Sequence, residues 1–415
     1  MKTLKHLELL KFITIAQETL NKARLKLTAF TRNRKMPFAF AISFLLDMRK
    51  TTLQTRLNLF PELKEGEKPI SQQAFSKLRM NFDHSPFETM ARESVKEEYS
   101  GKYELPLWNG CHVFGVDGSY LQLPRVDGLR REFGVRGSGT QPSAGISVLY
   151  DVLHGWPIDP IITHTNMNER TECEKHIDFL CKQLPHIAQK SILTIDRGYP
   201  SLDLFKKLQA SGIKFVARCS SRSMEEINAA PLGDTRVTLK NGVCVRVIKF
   251  ALPTTGEIET LATNEFELPE QAIIELYTLR WGIESSYFLL KQELSVEKFS
   301  GESPNAIRQD FWASMVLMQV VATFQHEADE EVKNRHSVNP GIKHEYRART
   351  SDLIVTLRDR FIFAVLCGDK TFSASEIEDV IRTMARAVSP IRPGRSFKRV
   401  FRPANAANHN LKSRL

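Results

Sequence analysis

Apolar residues at Leu4, Leu7, Leu10 and Ile13 recur at three-residue spacing and predict a helix at the start of the chain. Basic, helix-friendly residues follow through Lys50, and the helical character holds to about residue 105. Within it, Pro69-Ile-Ser71-Gln-Gln-Ala-Phe75-Ser-Lys-Leu-Arg79 carries a helix entry signal with Ser71 as cap. Gln72, Gln73, Ser76, Lys77 and Arg79 would give that helix the donors of a DNA-reading helix-turn-helix. An ordinary packing helix has the same composition.

From about residue 106 the period changes. Val113-Phe-Gly-Val-Asp117 reads as a buried strand ending in an acid, continuing past a bend into residues 120–123. The glycine-rich stretch 130–145 matches no phosphate-binding loop and reads as a mobile basic connection. Strands follow at 146–152 and 158–164 around the turn His154-Gly-Trp-Pro157. A helix spans about 169–184, a strand 191–195, a Ser201-capped helix runs to about 210, and a strand occupies 214–218. Three antiparallel strands, helix, strand, helix, strand is the ribonuclease-H-like order, a mixed sheet flanked by helices. Residues 220–264 interrupt it as a β-rich insertion, with the hairpin dipeptide Asn241-Gly242 and a further return at Thr255-Gly256. One long helix is expected over 269–294, then helices at 305–330, 351–367 and 375–387. The tail from Ser389, rich in proline, asparagine and positive charge, is expected to stay unstructured alone. The division is thus a helical N-terminal DNA-binding region (1–105), a catalytic domain (106–304) and a helical C-terminal region with a basic tail (305–415).

Charge sharpens this picture. The chain of 415 residues carries a formal charge of +10, unevenly placed. Residues 1–50 hold 11 Lys and Arg against 3 Asp and Glu, and residues 391–415 hold 7 against none, so the middle is net acidic. Basic ends suit a polyanion such as DNA; solvated tails would look alike. The acidic centre calls for its own explanation, such as metal-binding carboxylates. No segment suits a membrane span: the most apolar, 311–324, is 14 residues long and includes Ser314, Gln319 and Thr323. Six scattered cysteines and no signal-peptide core point to a reducing cytoplasm. Cys173, His176 and Cys181 fit no standard zinc spacing and share an apolar helix face, which is core packing.

Asp117 and Asp196 each end an apolar strand, and in this order the two strands would be neighbours. Tyr277, Arg280, Glu284 and Lys291 fall on one stripe of a continuous helix. Three carboxylates can hold a pair of hard divalent cations about 4 Å apart for phosphoryl transfer. Arg280 and Lys291 can hold flanking phosphates, Tyr277 can donate to one, and Trp281 can stack on an unpaired base. Taken singly, each has a plainer role: an Asp before Gly in a turn, an Arg/Glu surface pair, a core Trp.

Together they resemble a known family. Tyr277, Arg280, Glu284 and Lys291 reproduce the Tyr-x2-Arg-x3-Glu-x6-Lys signature of DDE transposases of the bacterial insertion-sequence-four family. Phe299-Ser-Gly301, Asp196-Arg-Gly-Tyr199 and Val116-Asp-Gly-Ser119 are similar to further blocks of that family, and the resemblance covers about 110–301. It implies an enzyme that excises and inserts a mobile element by DNA cleavage and strand transfer. It implies Asp117, Asp196 and Glu284 as catalytic ligands of two Mg2+ ions, replaceable by Mn2+, and Tyr277, Arg280, Trp281 and Lys291 as DNA contacts. It also implies double-stranded DNA partners, element ends and target, and a homodimer on DNA. A DNA-binding protein without chemistry and a plain metal nuclease are the rival readings.

Overall fold

The computed structural model describes residues 1–32, 35–47, 52–59, 69–252, 256–337, 344–357 and 373–391. Six helices come first: α1 (Lys2–Ile15), α2 (Gln17–Ala23), α3 (Phe38–Leu46), α4 (Leu53–Asn58), α5 (Gln72–Arg79) and α6 (Ser85–Glu98). Then come β1 (His112–Gln122), α7 (Asp127–Phe133), β2 (Ser143–Asp151), β3 (Trp156–His164), α8 (Glu169–Gln183), α9 (Pro185–Ala188), β4 (Ser191–Ile195), α10 (Leu202–Ala210) and β5 (Lys214–Arg218). After α11 (Glu225–Ala229) the strands β6 (Gly233–Thr238), β7 (Cys244–Ala251) and β8 (Ile258–Thr263) precede α12 (Glu270–Leu279) and α13 (Trp281–Phe288). The described remainder is a π turn (Leu289–Glu293), α14 (Pro304–Ser337), β9 (Tyr346–Ala348), α15 (Thr350–Thr356), α16 (Ala374–Met384) and β10 (Val388–Pro390). No helix among the described residues is long and apolar enough to cross a membrane.

The chain divides into two compact units, one of residues 98–121 and 143–288, the other of 1–97, 122–142 and 289–415. The first holds the sheet, whose strand order is β3-β2-β1-β4-β5-β8-β7-β6. The leading five strands have the ribonuclease-H-like order. β1, β4 and β5 run parallel, with β3 antiparallel to β2. Central strands covered on both faces are mostly apolar, and all nine residues of β2 and all five of β4 are buried, with polar Ser147 and Thr194 bonded internally to His176 and to the Phe114 carbonyl. The Asn241-Gly242 hairpin forms between β6 and β7, with Gly242 at φ 81°, the left-handed region its turn needs.

The expected insertion is not a separate β body. β8 pairs antiparallel with β5, so residues 233–263 extend the same sheet by three strands. Ile248 and Leu261 from that extension share a core with Val113, Ile192 and Val216, under Ile273, Leu276 and Tyr277 of α12. The edge of β5 would otherwise stand unpaired, and pairing it satisfies its backbone groups. Of the return at Thr255-Gly256, residues 253–255 lie outside the described residues. Cys173 and His176 sit in the core as expected: His176 is buried between Ser147 Oγ at 2.9 Å and Asp159 Oδ2 at 2.8 Å.

The long helix expected over 269–294 is also modified. At Arg280 the turn tightens, with Arg280 N bonding Tyr277 O at 3.2 Å and Ile283 N bonding Arg280 O at 2.9 Å, three residues apart. At Leu289 it widens into the π turn, where Leu294 N bonds Leu289 O at 2.8 Å. The single stripe drawn on a uniform helix therefore does not carry unchanged to Lys291.

The other unit gathers helices from both ends of the chain. Leu7, Leu10 and Ile13 are the buried face of α1, as their spacing implies. The backbone amides of Lys2 and Thr3 donate to Glu327 of α14, and His6 sits between Thr323 and Ser94. Ser71 caps α5 by accepting from Ala74 N. Gln72, Gln73, Ser76 and Lys77 are exposed there, whereas Arg79 is only 1% exposed and faces inward. Its guanidinium bonds Gln309, Ser300, the carbonyl of Ala306 and Asp310, so the expectation that Arg79 faces DNA is corrected. The presumed loop 130–145 is helical through Phe133 and enters β2 at Ser143. The tail is not free from Ser389, because Val388–Pro390 pairs with Tyr346–Ala348; residues 392–415, and 358–372 of the helix expected to reach 367, lie outside the described residues.

Candidate active site

Strand register decides which acids meet. β1 and β4 pair from His112↔Ser191 to Gly115↔Thr194, and continuing two residues sets Asp117 opposite Asp196. β4 and β5 pair from Ile192↔Lys214 to Ile195↔Ala217, which sets Arg218 beside Asp196. Parallel strands bring successive carboxyl ends to one edge of the sheet, so two acids distant in sequence become neighbours. Each aspartate is oriented by the next backbone amide: Gly118 N donates to Asp117 Oδ1 at 2.9 Å and Arg197 N to Asp196 Oδ1 at 2.8 Å.

The helix bearing Glu284 is seated by a glycine. A Cβ on Gly115 would lie 2.2 Å from Ile283 Cδ1 and 3.1 Å from Thr194 Oγ1, so α13 packs directly against β1 because position 115 has no side chain. On the facing side, Gly282 approaches the carbonyl of Val152. Tyr287, also on α13, donates its hydroxyl to the carbonyl of Asp117 at 2.7 Å.

Arg280 links the acids. It is 5% exposed, and its Nη2 lies 3.7 Å from Asp196 Oδ2 and 3.7 Å from Glu284 Oε1. Its Nε is buried with no partner. Tyr277 donates its hydroxyl to Asp196 Oδ1 at 3.2 Å. Arg218 stands 4.0 Å from Asp196 and forms a two-pronged ion pair with buried Glu259, which Arg197 also approaches at 3.5 Å. Burial pushes the Asp117 carboxyl up to about 6; Arg280 and the Gly118 amide pull it down, while Glu169 and Asp196 push it further up.

Asp117, Asp196, Glu284, Tyr277 and Arg280 thus belong to one constellation. Trp281, 62% exposed, lies on the same helix as Glu284, and so does Phe288 at 60%. Lys291 lies in the other compact unit, on the π turn. Sequence reasoning missed Arg218, Glu259, Glu169, Tyr287 and Phe288. The legible signal for Arg218 was its place at the end of the next parallel strand; nothing in the linear pattern singled out the others.

Carboxylate oxygens are the donors that hard divalent cations take. Among the described residues no three acidic, histidine or cysteine side chains are drawn together tightly enough to ligate one ion as they stand. The donor set nonetheless fits in chemistry and charge: two carboxylates two residues beyond the last β1–β4 pair, a third joined to Asp196 through Arg280, and Asp117 desolvated without full neutralisation. Glu284, exposed on its helix, is the side chain with room to turn toward the pair.

Asp117 within β1 and Asp196 just past β4 thus stand on neighbouring parallel strands of a mixed sheet of this order. Comparison with known proteins identifies the lineage. Residues 112–319, half of the chain, match the "Transposase DDE domain" family, and the chain belongs to that family. A Sinorhizobium fredii protein described as "Putative transposase y4zB" is 39% identical over 70 residues, 16% of this chain and 20% of that protein. The match therefore spans about a fifth of that relative's length. Among solved structures, the cryo-EM piggyBac transposase synaptic complex with hairpin DNA superposes with a TM-score of 0.50 at 13% identity, covering 94% of this chain and 87% of that one. At that identity the likeness speaks to the fold.

Proposed function

We propose that this protein is a DNA transposase that excises and inserts a mobile element by metal-dependent strand cleavage and strand transfer. The observation that carries the reading is the register that sets Asp117 opposite Asp196, with Arg280 spanning Asp196 and Glu284. Asp117, Asp196 and Glu284 would hold two divalent cations, Mg2+ with Mn2+ as substitute. Bound there, such ions lower the charge on a scissile phosphate and favour an attacking water or 3′-hydroxyl. The remaining roles fall to the chain's own groups. The amides of Gly118 and Arg197 orient the two aspartates. Arg280 offers a phosphate oxygen the Nε–H that no protein group takes. Tyr277 fixes Asp196, and Trp281, open to solvent, can stack on a base displaced from the duplex.

The same reading takes the Tyr277, Arg280, Glu284 and Lys291 spacing as membership of the insertion-sequence-four branch, with Lys291 as a phosphate contact. It takes element ends and target DNA as partners, a homodimer on DNA, and the bacterial cytoplasm as the compartment. Full-length protein incubated with Mg2+ and a linear DNA carrying the element's own end tests it, with products resolved on a denaturing gel. Cleavage at the end's tip, absent in Glu284→Ala, supports the reading. Cleavage without end preference or joining would make the protein a nuclease. Shifted but uncut DNA in Mg2+ and Mn2+ alike would make it a binding protein.

A further inference from the structure

Glu169 opens α8, the first residue after its cap, Asn168, whose side chain accepts from the amides of Arg170 and Thr171. An acid in a first turn is stabilised by the helix dipole, so the position holds a carboxylate at low cost. Where it points is less ordinary. A Cβ on Gly118 would lie 3.1 Å from Glu169 Oε1, and a Cβ on Gly198 would lie 2.9 Å from Glu169 Oε2. Gly118 follows Asp117, and Gly198 stands two residues after Asp196. Each oxygen of Glu169 thus rests over a glycine close after one of the two aspartates, within β1 for Gly118 and past β4 for Gly198. A side chain at Gly198 would meet Glu169, while one at Gly118 would meet Met167 Cε at 2.9 Å as well as Glu169. The carboxylate therefore reaches toward both aspartates, and its charge acts on Asp117 together with that of Asp196.

Among the described residues no donor or ion-pair partner satisfies that carboxylate, although it is half-buried beside two others. A second group nearby is equally unserved. Tyr199 is 1% exposed and its hydroxyl has no hydrogen-bond partner, yet it lies within electrostatic reach of Asp117, Glu169 and Asp196. Asp117 and Asp196 have donors of their own, whereas Glu169 adds a third negative charge beside them with none, which is unfavourable unless a cation joins it to them. A lone hydroxyl beside them suits a water of such a cation's hydration shell.

We propose that Glu169 is a fourth carboxylate of the metal-binding set, standing with Asp117 and Asp196 while Glu284 closes from α13. This rests on the proposed metal-dependent reading of the site. It also accounts for Gly198, whose only close neighbour among the described residues is Glu169, and in part for Gly118, which Glu169 shares with Met167.

The test is Mn2+ titration of the full chain, followed by the electron paramagnetic resonance signal of free Mn2+, for wild type, Glu169→Gln, Glu169→Asp and Asp196→Asn. Melting curves are taken without metal. Glu169→Gln should weaken Mn2+ binding by at least the 10- to 100-fold that loss of an outer-shell partner typically costs, or remove one ion from the stoichiometry. Glu169→Asp should recover part of it. The metal-free melting temperature of Glu169→Gln should be unchanged or higher, because a like-charge repulsion has gone. Wild-type Mn2+ binding in Glu169→Gln alongside lost binding in Asp196→Asn would overturn the assignment and leave the site reading standing. Unchanged binding in both variants would remove the site reading itself. A lowered metal-free melting temperature in Glu169→Gln would make the residue structural and overturn the proposal as well.

Discussion

Two buried arginines show how differently the two compact units use the same residue. Arg79 is 1% exposed and Arg280 is 5% exposed. Arg79 spends its guanidinium on fixed partners: Nε to Gln309 at 2.9 Å, Nη1 to Ser300 at 2.8 Å, Nη2 to Asp310 at 3.0 Å and to the Ala306 carbonyl at 3.2 Å. Arg280 has two carboxylates at 3.7 Å, and its Nε faces no acceptor. A buried charge with all donors satisfied holds a fold together. One left with an unused donor beside carboxylates that stay partly exposed has capacity for a further partner, and the proposed function assigns that partner as a phosphate oxygen. The contrast teaches that burial alone does not separate a structural arginine from a working one; the state of its donors does.

The widest break in this comparison comes from removing acids at the Arg280 end. Asp196→Asn and Glu284→Gln should each lower strand cleavage by about a thousand-fold or more while gel-shift binding of the same DNA persists. Lost binding in both would assign these residues to the fold. Next in size is Arg79→Ala, which takes the counter-charge from buried Asp310 and the donors from Gln309 and the Ala306 carbonyl; urea denaturation should show a loss of roughly 3–5 kcal/mol. A loss below about 1 kcal/mol would mean the network is as dispensable as a surface pair.

Asp117 sharpens the picture through pH. Its folded-state value of about 6 lies above the ordinary 3.8, so the folded state binds this proton more tightly than the unfolded chain does. The sign follows: without metal, this group's contribution is most favourable below about pH 4 and is lost as pH rises through about 6. The swing is on the order of 3 kcal/mol at most. Asp117→Asn should therefore raise the metal-free melting temperature at pH 8 and change it little at pH 4. Equal melting temperatures of wild type and variant at both pH values would show the carboxylate to be solvated. The smallest effect expected is Arg280→Ala, which should cost about 100-fold in cleavage, near the loss of one transition-state donor, and less than about 1 kcal/mol in stability. If it destabilised as much as Arg79→Ala, the difference between the two arginines would collapse.

Much of this was legible beforehand because the physics is local. Alternation and apolar runs set β1, β4 and β5, Ser71 and Ser201 capped their helices, and Asn241-Gly242 turned its hairpin. The extension of the sheet by β8-β7-β6 was not, since a β-rich segment pairs with whichever edge the fold leaves open. Glu169 was illegible for a related reason. Its significance comes from two glycines 51 and 29 positions away in the numbering, and no periodicity links them.

The sequence by itself determined the strands that bring in Asp117 and Asp196, the helical segment around Arg280 and Glu284, and the family to which their spacing points. The tertiary structure alone decided that β1 and β4 pair in the register that levels the two aspartates, and that Gly115 lets Ile283 settle against the sheet. It also decided that Arg79 turns inward while Arg280 keeps a donor unused. Propensity and pattern act over a few residues, whereas register, close approach and donor satisfaction depend on atoms that meet only when distant segments pack.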